Sequence, residues 1–152
     1  MKYDKLQKDI ISMMYKEQAN RINWNVNEDK KEVHVTLDGF ALHSVPFCFW
    51  YIDTKKFTRP PLDTNKIIPS DNSEYHRAEY TGITKEVTNG KNKMHVTTLQ
   101  ADGIETNINI DLLKKYHDIN ELYFLIIDSI HPALMYSKYS NTFEGVVMPV
   151  RI

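Results

Sequence analysis

Ile104-Glu105-Thr106-Asn107-Ile108-Asn109-Ile110 runs directly into Asp111-Leu112-Leu113-Lys114-Lys115-Tyr116-His117, and this junction decides the fold class. The turn Ala101-Asp102-Gly103 delivers the first segment as a strand, and Asn109 or Asp111 offers a side-chain oxygen to cap a short helix through about His117. Three further strand-like runs follow, over 119–127, 132–137 and 145–151, the first two joined by Asp128-Ser129-Ile130-His131. The tail therefore reads β-α-β-β-β. Just upstream, Asn89-Gly90 predicts a tight hairpin between a strand ending near Thr88 and another from Met94 to Gln100.

The amino-terminal half repeats the theme. Residues 3–19 contain no Pro or Gly and place Tyr3, Leu6, Ile10, Met13 and Met14 at three- and four-residue steps, which is helical spacing. Lys2, Lys5, Lys8, Ser12 and Lys16 cluster roughly opposite that apolar stripe, with Asp9 among them. Residues 23–26 and 32–37 alternate polar with apolar around a turn at 27–30, a hairpin. Residues 45–52 read as a strand buried on both sides, with Phe47, Phe49, Trp50 and Tyr51 in the core and Cys48 as a small buried side chain. Helix, strand, strand, strand loosely matches the second half, as a duplicated helix-plus-sheet unit would. Between the halves, residues 53–75 form a polar connection punctuated by Pro60, Pro61 and Pro69.

Composition narrows the function classes. A length of 152 residues, 41% hydrophobic and 26% charged, suits one globular domain over 1–152. The longest apolar runs, 45–52 and 122–127, fall far short of the roughly 20 residues that span a bilayer, so no membrane association is expected. The charged amino terminus lacks the pattern of a secretory signal, and a single cysteine points to a reducing compartment; a cytoplasmic location follows. A net charge of −1 means that any polyanion must be met by charge sorted onto one face. His34, His43, His76, His95, His117 and His131 have no ligand-like spacing, so neither a metal nor a cofactor is expected. No phosphate loop or nucleophile elbow is present, and Glu74, Glu79 and Glu86 could form an acid/base pair only through folding; the expectation is a protein that is not an enzyme.

The closing heptapeptide, Val146-Val147-Met148-Pro149-Val150-Arg151-Ile152, resembles the carboxyl terminus of the bacterial sliding clamp, the beta subunit of the replicative DNA polymerase. The likeness continues backwards in the same order: Ser129-Ile130-His131-Pro132-Ala133-Leu134 resembles the clamp's hairpin, and Ile108-Asn109-Ile110 with Leu112-Leu113-Lys114 its strand-to-helix junction. It covers about residues 94–152, the terminal half of the clamp's third domain. The resemblance implies an α+β, DNA-clamp-like domain of two β-α-β-β-β units, with helices on one face of a curved antiparallel sheet. It further implies a non-catalytic, processivity-factor-like role in DNA replication. An apolar groove for clamp-binding peptides would comprise Asn109, Leu112, Ile130, Val147, Met148, Pro149, Val150 and Arg151.

Duplex DNA would be met by Lys2, Lys5, Lys8 and Lys16 on the first helix and Lys114 and Lys115 on the second, through phosphate contacts that are sequence-blind and salt-dependent. Valine and methionine suit a shallow, adaptable cleft, and a proline within a strand marks an edge or bulge where one can form. Leu112 stands where the family usually has Tyr. The family's groove is shared with a preceding domain, and its rings hold six domains, so a ring of this chain would be a homo-oligomer of six copies. The alternative class is a regulatory or inhibitory protein-binding module of a phage or mobile element, acting through residues 45–51 without contacting DNA.

Overall fold

A computed structural model describes residues 1–151 of the chain, and of Asn89 the backbone alone. In chain order the elements are α1 (Tyr3–Tyr15), β1 (Asn23–Asn27), β2 (Glu32–Thr36), β3 (Ala41–Pro46), β4 (His76–Glu79), β5 (Lys85–Asn89), β6 (Asn92–Ala101), β7 (Ile104–Asn109), α2 (Asp111–Lys114), β8 (Leu122–Ile126), β9 (Ala133–Ser137) and β10 (Phe143–Val147). This is a mixed α+β fold built mainly of antiparallel sheet. Seven strands form one sheet in the order β1-β2-β3-β10-β9-β8-β4, and β5-β6-β7 form a second.

The expected β-α-β-β-β tail is present as β7-α2-β8-β9-β10. Its counterpart in the first half is α1-β1-β2-β3, and the two sets of three strands meet at the β3·β10 pair, where Gly145 lies opposite His43 and Val147 opposite Ala41. Glycine is required at that seam. Residue 145 has φ +143°, and a Cβ there would fall 1.9 Å from the Leu42 carbonyl oxygen.

Local chemistry explains where the elements stop. The α1 helix ends at Tyr15, short of the expected Ala19, because Glu17 adopts φ +57° and the Gln18 and Glu17 amides turn back to the Met13 and Met14 carbonyls, a Schellman closure. The hairpin at Asn89-Gly90 forms as expected, with Asn89 opposite Asn92. At α2, the Asn109 side-chain oxygen accepts the Asp111 amide at 3.0 Å. The strand expected over 45–52 instead begins at Ala41 and ends at Pro46, which pairs with Glu32 at the limit of β2. Beyond it the Phe49 and Trp50 amides close turns onto Pro46 and Phe47. Buried Gln7 holds that turn, its amide nitrogen donating to the Phe49 carbonyl and its oxygen accepting the Tyr51 amide, both at 2.8 Å. Cys48, Phe49 and Tyr51 are therefore exposed, which corrects their assignment to the core.

Both helices pack on the same face of the large sheet. Register places Val35, Val45, Ala41, Val147, Ala133, Met135 and Phe124 on that face. Over its β1–β3 half, Leu6 and Ile10 of α1 join Ile22, Val35, Val45 and Phe57. Over the other half, Leu113 of α2 joins Leu99 and Ile108 of the small sheet against Phe124, Met135 and Val147. On the opposite face Leu42, Leu134 and Val146 are covered by Ile67, Ile68 and Tyr75 from the long 53–75 connection. That connection is a strap stiffened by two single-turn helices, Thr54–Lys56 and Thr64–Lys66, capped by Asp53 and Asp63.

Candidate functional site

The strap is held on the sheet by backbone and side-chain bonds at its middle. The Trp24 indole nitrogen donates to the Arg59 carbonyl at 2.9 Å, and the Leu62 amide donates to the Trp24 carbonyl at 2.6 Å, so Arg59-Pro60-Pro61-Leu62 is fixed at both ends along the outer edge of β1. Two residues further, buried Thr64 enters a polar chain. The Asn25 side-chain amide donates to the Thr64 hydroxyl at 2.8 Å, that hydroxyl lies 3.2 Å from His34 Nδ1, and His34 Nε2 lies 2.8 Å from Glu32. With Glu32 ionised, imidazole Nε2–H donates to it and Nδ1 accepts the Thr64 proton, so each buried polar atom is paired.

Between this strap and the end of β10 lies a cleft of about 290 Å³. Its floor is Ala41, Leu42 and Val146, its strap wall Arg59, Leu62 and Ile67, and its other wall Phe40 and Met148. The Met148 amide donates to the Phe40 carbonyl at 2.8 Å, tying that wall together. Phe40 is 61% and Met148 38% exposed, so both carry apolar surface to solvent at the mouth. An aromatic ring and a polarizable thioether beside an apolar floor make a surface able to receive one or two apolar side chains of a ligand.

The residues expected to form a peptide groove are distributed around this end of the molecule and not all in one cleft. Met148 lines the cleft. Val147 is sealed in the core, and the residue beside it on the cleft floor is Val146. After Met148 the chain crosses to the small sheet: Pro149 bridges Ile108, and the Val150 amide donates to the Asn107 carbonyl at 2.7 Å. Proline therefore sits where β10 leaves the large sheet, as a strand-breaking residue should. Arg151 is exposed, and Ile152 lies outside the described residues. Ile130 is exposed at the tip of the β8–β9 turn, which Asp128 shapes by accepting the Ile130 and His131 amides. Asn109 serves the start of α2, and Leu112 lines a separate cavity of about 370 Å³ with His43, Asp9, Arg21 and Lys115.

His43 lies at the inner end of that cavity, stacked on His117 with Nδ1 3.0 Å from His117 Nε2. His117 Nδ1 in turn is 3.2 Å from Glu144, close enough for an ion pair although neither atom completes a well-aligned hydrogen bond. Burial, reinforced by His117, lowers the His43 pKa to about 3 from 6.5.

The lysines expected to meet DNA are all exposed, and the two helices carrying them are neighbours: the Lys2 amide donates to the Tyr116 carbonyl, and Lys5 sits over the Tyr116 ring. Carboxylates are interleaved with them. Lys8 pairs with Asp4 at 2.9 Å, and Asp9 accepts the Tyr116 hydroxyl at 2.6 Å. The Lys8 hydrogen bond, with a second from Tyr51, holds the Asp4 carboxyl below its usual range. Lys16, Lys114 and Lys115 take part in no ion pair among the described residues.

A third cavity, about 470 Å³, lies between α1 and the aromatic turn, lined by Ile11, Met14, Tyr15, Tyr51, Ile52, Asp53 and Lys56. Among the described residues no three His, Cys, Asp or Glu side chains are grouped to hold a metal ion, and no helix is long and apolar enough to cross a membrane. No family model matches the chain, and neither a curated protein nor a solved structure is significantly similar to it.

Proposed function

We propose that this chain is a non-catalytic, sliding-clamp-like protein of DNA replication that binds extended peptides of partner proteins in the cleft between Met148 and the 53–75 strap. The observation that carries the reading is the placement of Met148: the tail that resembles the clamp's carboxyl terminus borders an open apolar cleft. The strap supports it further, because Arg59, Leu62 and Ile67 supply a second wall within one chain, where the family's groove borrows one from a preceding domain. Shallow apolar clefts of this kind bind peptides through one or two bulky anchors, and truncating an anchor contact weakens binding severalfold to a hundredfold.

A fluorescein-labelled decapeptide with a central Leu-x-Phe anchor tests this by anisotropy. It should bind, and Met148→Ala should weaken it about tenfold, or ~1.4 kcal/mol. Equal binding by wild type and Met148→Ala would remove the proposal. Duplex DNA is the second expected partner, supported by the adjacency of the lysine-bearing helices. Changing Lys5, Lys8 and Lys16 together to Glu should abolish retention on DNA and its salt dependence. The protein-binding alternative is favoured by a different observation, the exposure of Phe49 and Tyr51 beside the largest of the three cavities.

A further inference from the structure

From the charge of the cleft we infer that its occupant is an acidic peptide: an extended segment with an apolar anchor flanked by carboxylates, which Arg59 selects. The inference rests on the cleft being a peptide site and adds what kind of peptide enters it.

Among the described residues, Arg59 is the only charged one lining the cleft. It takes part in no ion pair among the described residues, so no described carboxylate neutralises it. The nearest acidic groups along the chain each accept backbone donors through one carboxylate oxygen, Oδ1. Asp38, just before the Phe40 wall, accepts the Phe40 amide at 2.7 Å and the Ala41 amide at 3.0 Å. Asp63, just after Leu62, accepts the Asn65 amide at 3.2 Å. A ligand carboxylate would thus find one free guanidinium beside an apolar floor, and an acidic side chain of the protein does not line the site to repel it.

The backbone that carries the cation is also held in place. Its backbone carbonyl accepts the Trp24 indole N–H, the Leu62 amide is bonded to Trp24, and the two residues between are prolines. Two fixed φ angles and two anchored ends leave the side chain as the main freedom at that position. Less conformational entropy is then lost when a carboxylate is bound than on an unrestrained loop. Steering by a single exposed cation is modest and falls with ionic strength.

Two labelled decapeptides with the same Leu-x-Phe anchor, one flanked by two Asp and one by two Lys, are titrated into the full chain at low salt. The Asp peptide should bind about fivefold tighter, with the preference shrinking as salt rises. Arg59→Ala should erase the preference and Arg59→Glu reverse it. Both variants keep the backbone carbonyl that Trp24 binds, and unchanged thermal unfolding would verify that they fold. A preference that persists in both variants, or none in the wild type, overturns the inference while leaving the cleft intact. Failure of both peptides to bind the wild type, or binding indifferent to Met148→Ala, would instead remove the cleft as a peptide site and this inference with it.

Discussion

On one face of the seven-stranded sheet, α1, α2 and the β5–β7 sheet close over Leu6, Ile10, Leu99, Leu113 and Phe124, none of which retains measurable exposure. On the other face, Leu42, Leu134 and Val146 are buried beneath Ile67, Ile68 and Tyr75 of the 53–75 strap and beside their sheet neighbours Leu125, Tyr136 and Phe143, and openings of about 290 and 370 Å³ remain beside the strap. The difference follows from how each cover satisfies its own backbone. Helices and strands pair their N–H and C=O groups internally and deliver continuous rows of side chains to the core. A strap containing three prolines has few such bonds and spends side chains such as Asp53, Asp63 and Thr64 on its own turns and anchorage. It covers the sheet without sealing it. Cavities also flank α1 on the first face, about 470 Å³ beside the aromatic turn and 370 Å³ in front of His43, so the two faces differ in the kind of cover, a regular one that specifies the fold and an irregular one that borders the Met148 cleft.

Three changes sharpen that contrast. The largest effect should come at the seam shared by both faces: Gly145→Ala places a Cβ 1.9 Å from the Leu42 oxygen at a φ that L residues rarely adopt, and should cost about 3 kcal/mol or more in urea unfolding. A loss below about 1 kcal/mol would mean that the β3·β10 pair is not the rigid junction described.

Next is acidification of the helix-covered face. His43 is held neutral down to about 3, whereas in the unfolded chain it protonates near 6.5. The unfolded state therefore takes up the extra proton, and stability that is complete above about 6.5 declines as pH falls towards 3, by up to ~1.4 kcal/mol per unit from this one group. Urea titrations between pH 7 and 5 should show a steeper loss in the wild type than in His43→Gln; equal slopes would contradict the buried neutral imidazole.

The smallest effect should be on the strap. Thr64→Val leaves the Asn25 amide and His34 Nδ1 without their shared partner and should cost about 1–2 kcal/mol. The accompanying rise in amide exchange should be confined to residues 59–70. A uniform rise across both faces would mean that strap and core unfold as one unit and would break the comparison.

The legible parts of the fold are those with local chemistry. Asn89-Gly90 marks its hairpin by turn preference, and the step from β7 into α2 is visible because period and capping residues change together. The end of α1 was hidden, since nothing in the composition of residues 16–19 announces a left-handed Glu17. The aromatic run at 47–51 misleads for a related reason: hydrophobicity alone does not distinguish a buried strand from a turn whose Phe49 stacks on Tyr3 at the surface. In the cleft, Met148 is readable from the tail. Arg59, Leu62 and Ile67 reach it only through long-range folding of the strap, and Phe40 through the tie between its carbonyl and Met148. Within the tail itself, Val146 and Val147 differ only in which face of β10 each occupies, a matter of register with β3.

Methyl NMR of the 13C-methionine-labelled protein tests the central claim directly, because the methionines sample competing sites. Met148 borders the cleft, Met14 the cavity beside the aromatic turn, Met13 the His43 cavity, and Met135 is buried in the core. On titration with the Asp-flanked Leu-x-Phe peptide, the Met148 methyl should shift and saturate while those of Met13, Met14 and Met135 stay in place. A shift at Met14 with Met148 unmoved would contradict the cleft and transfer the binding surface to the aromatic turn.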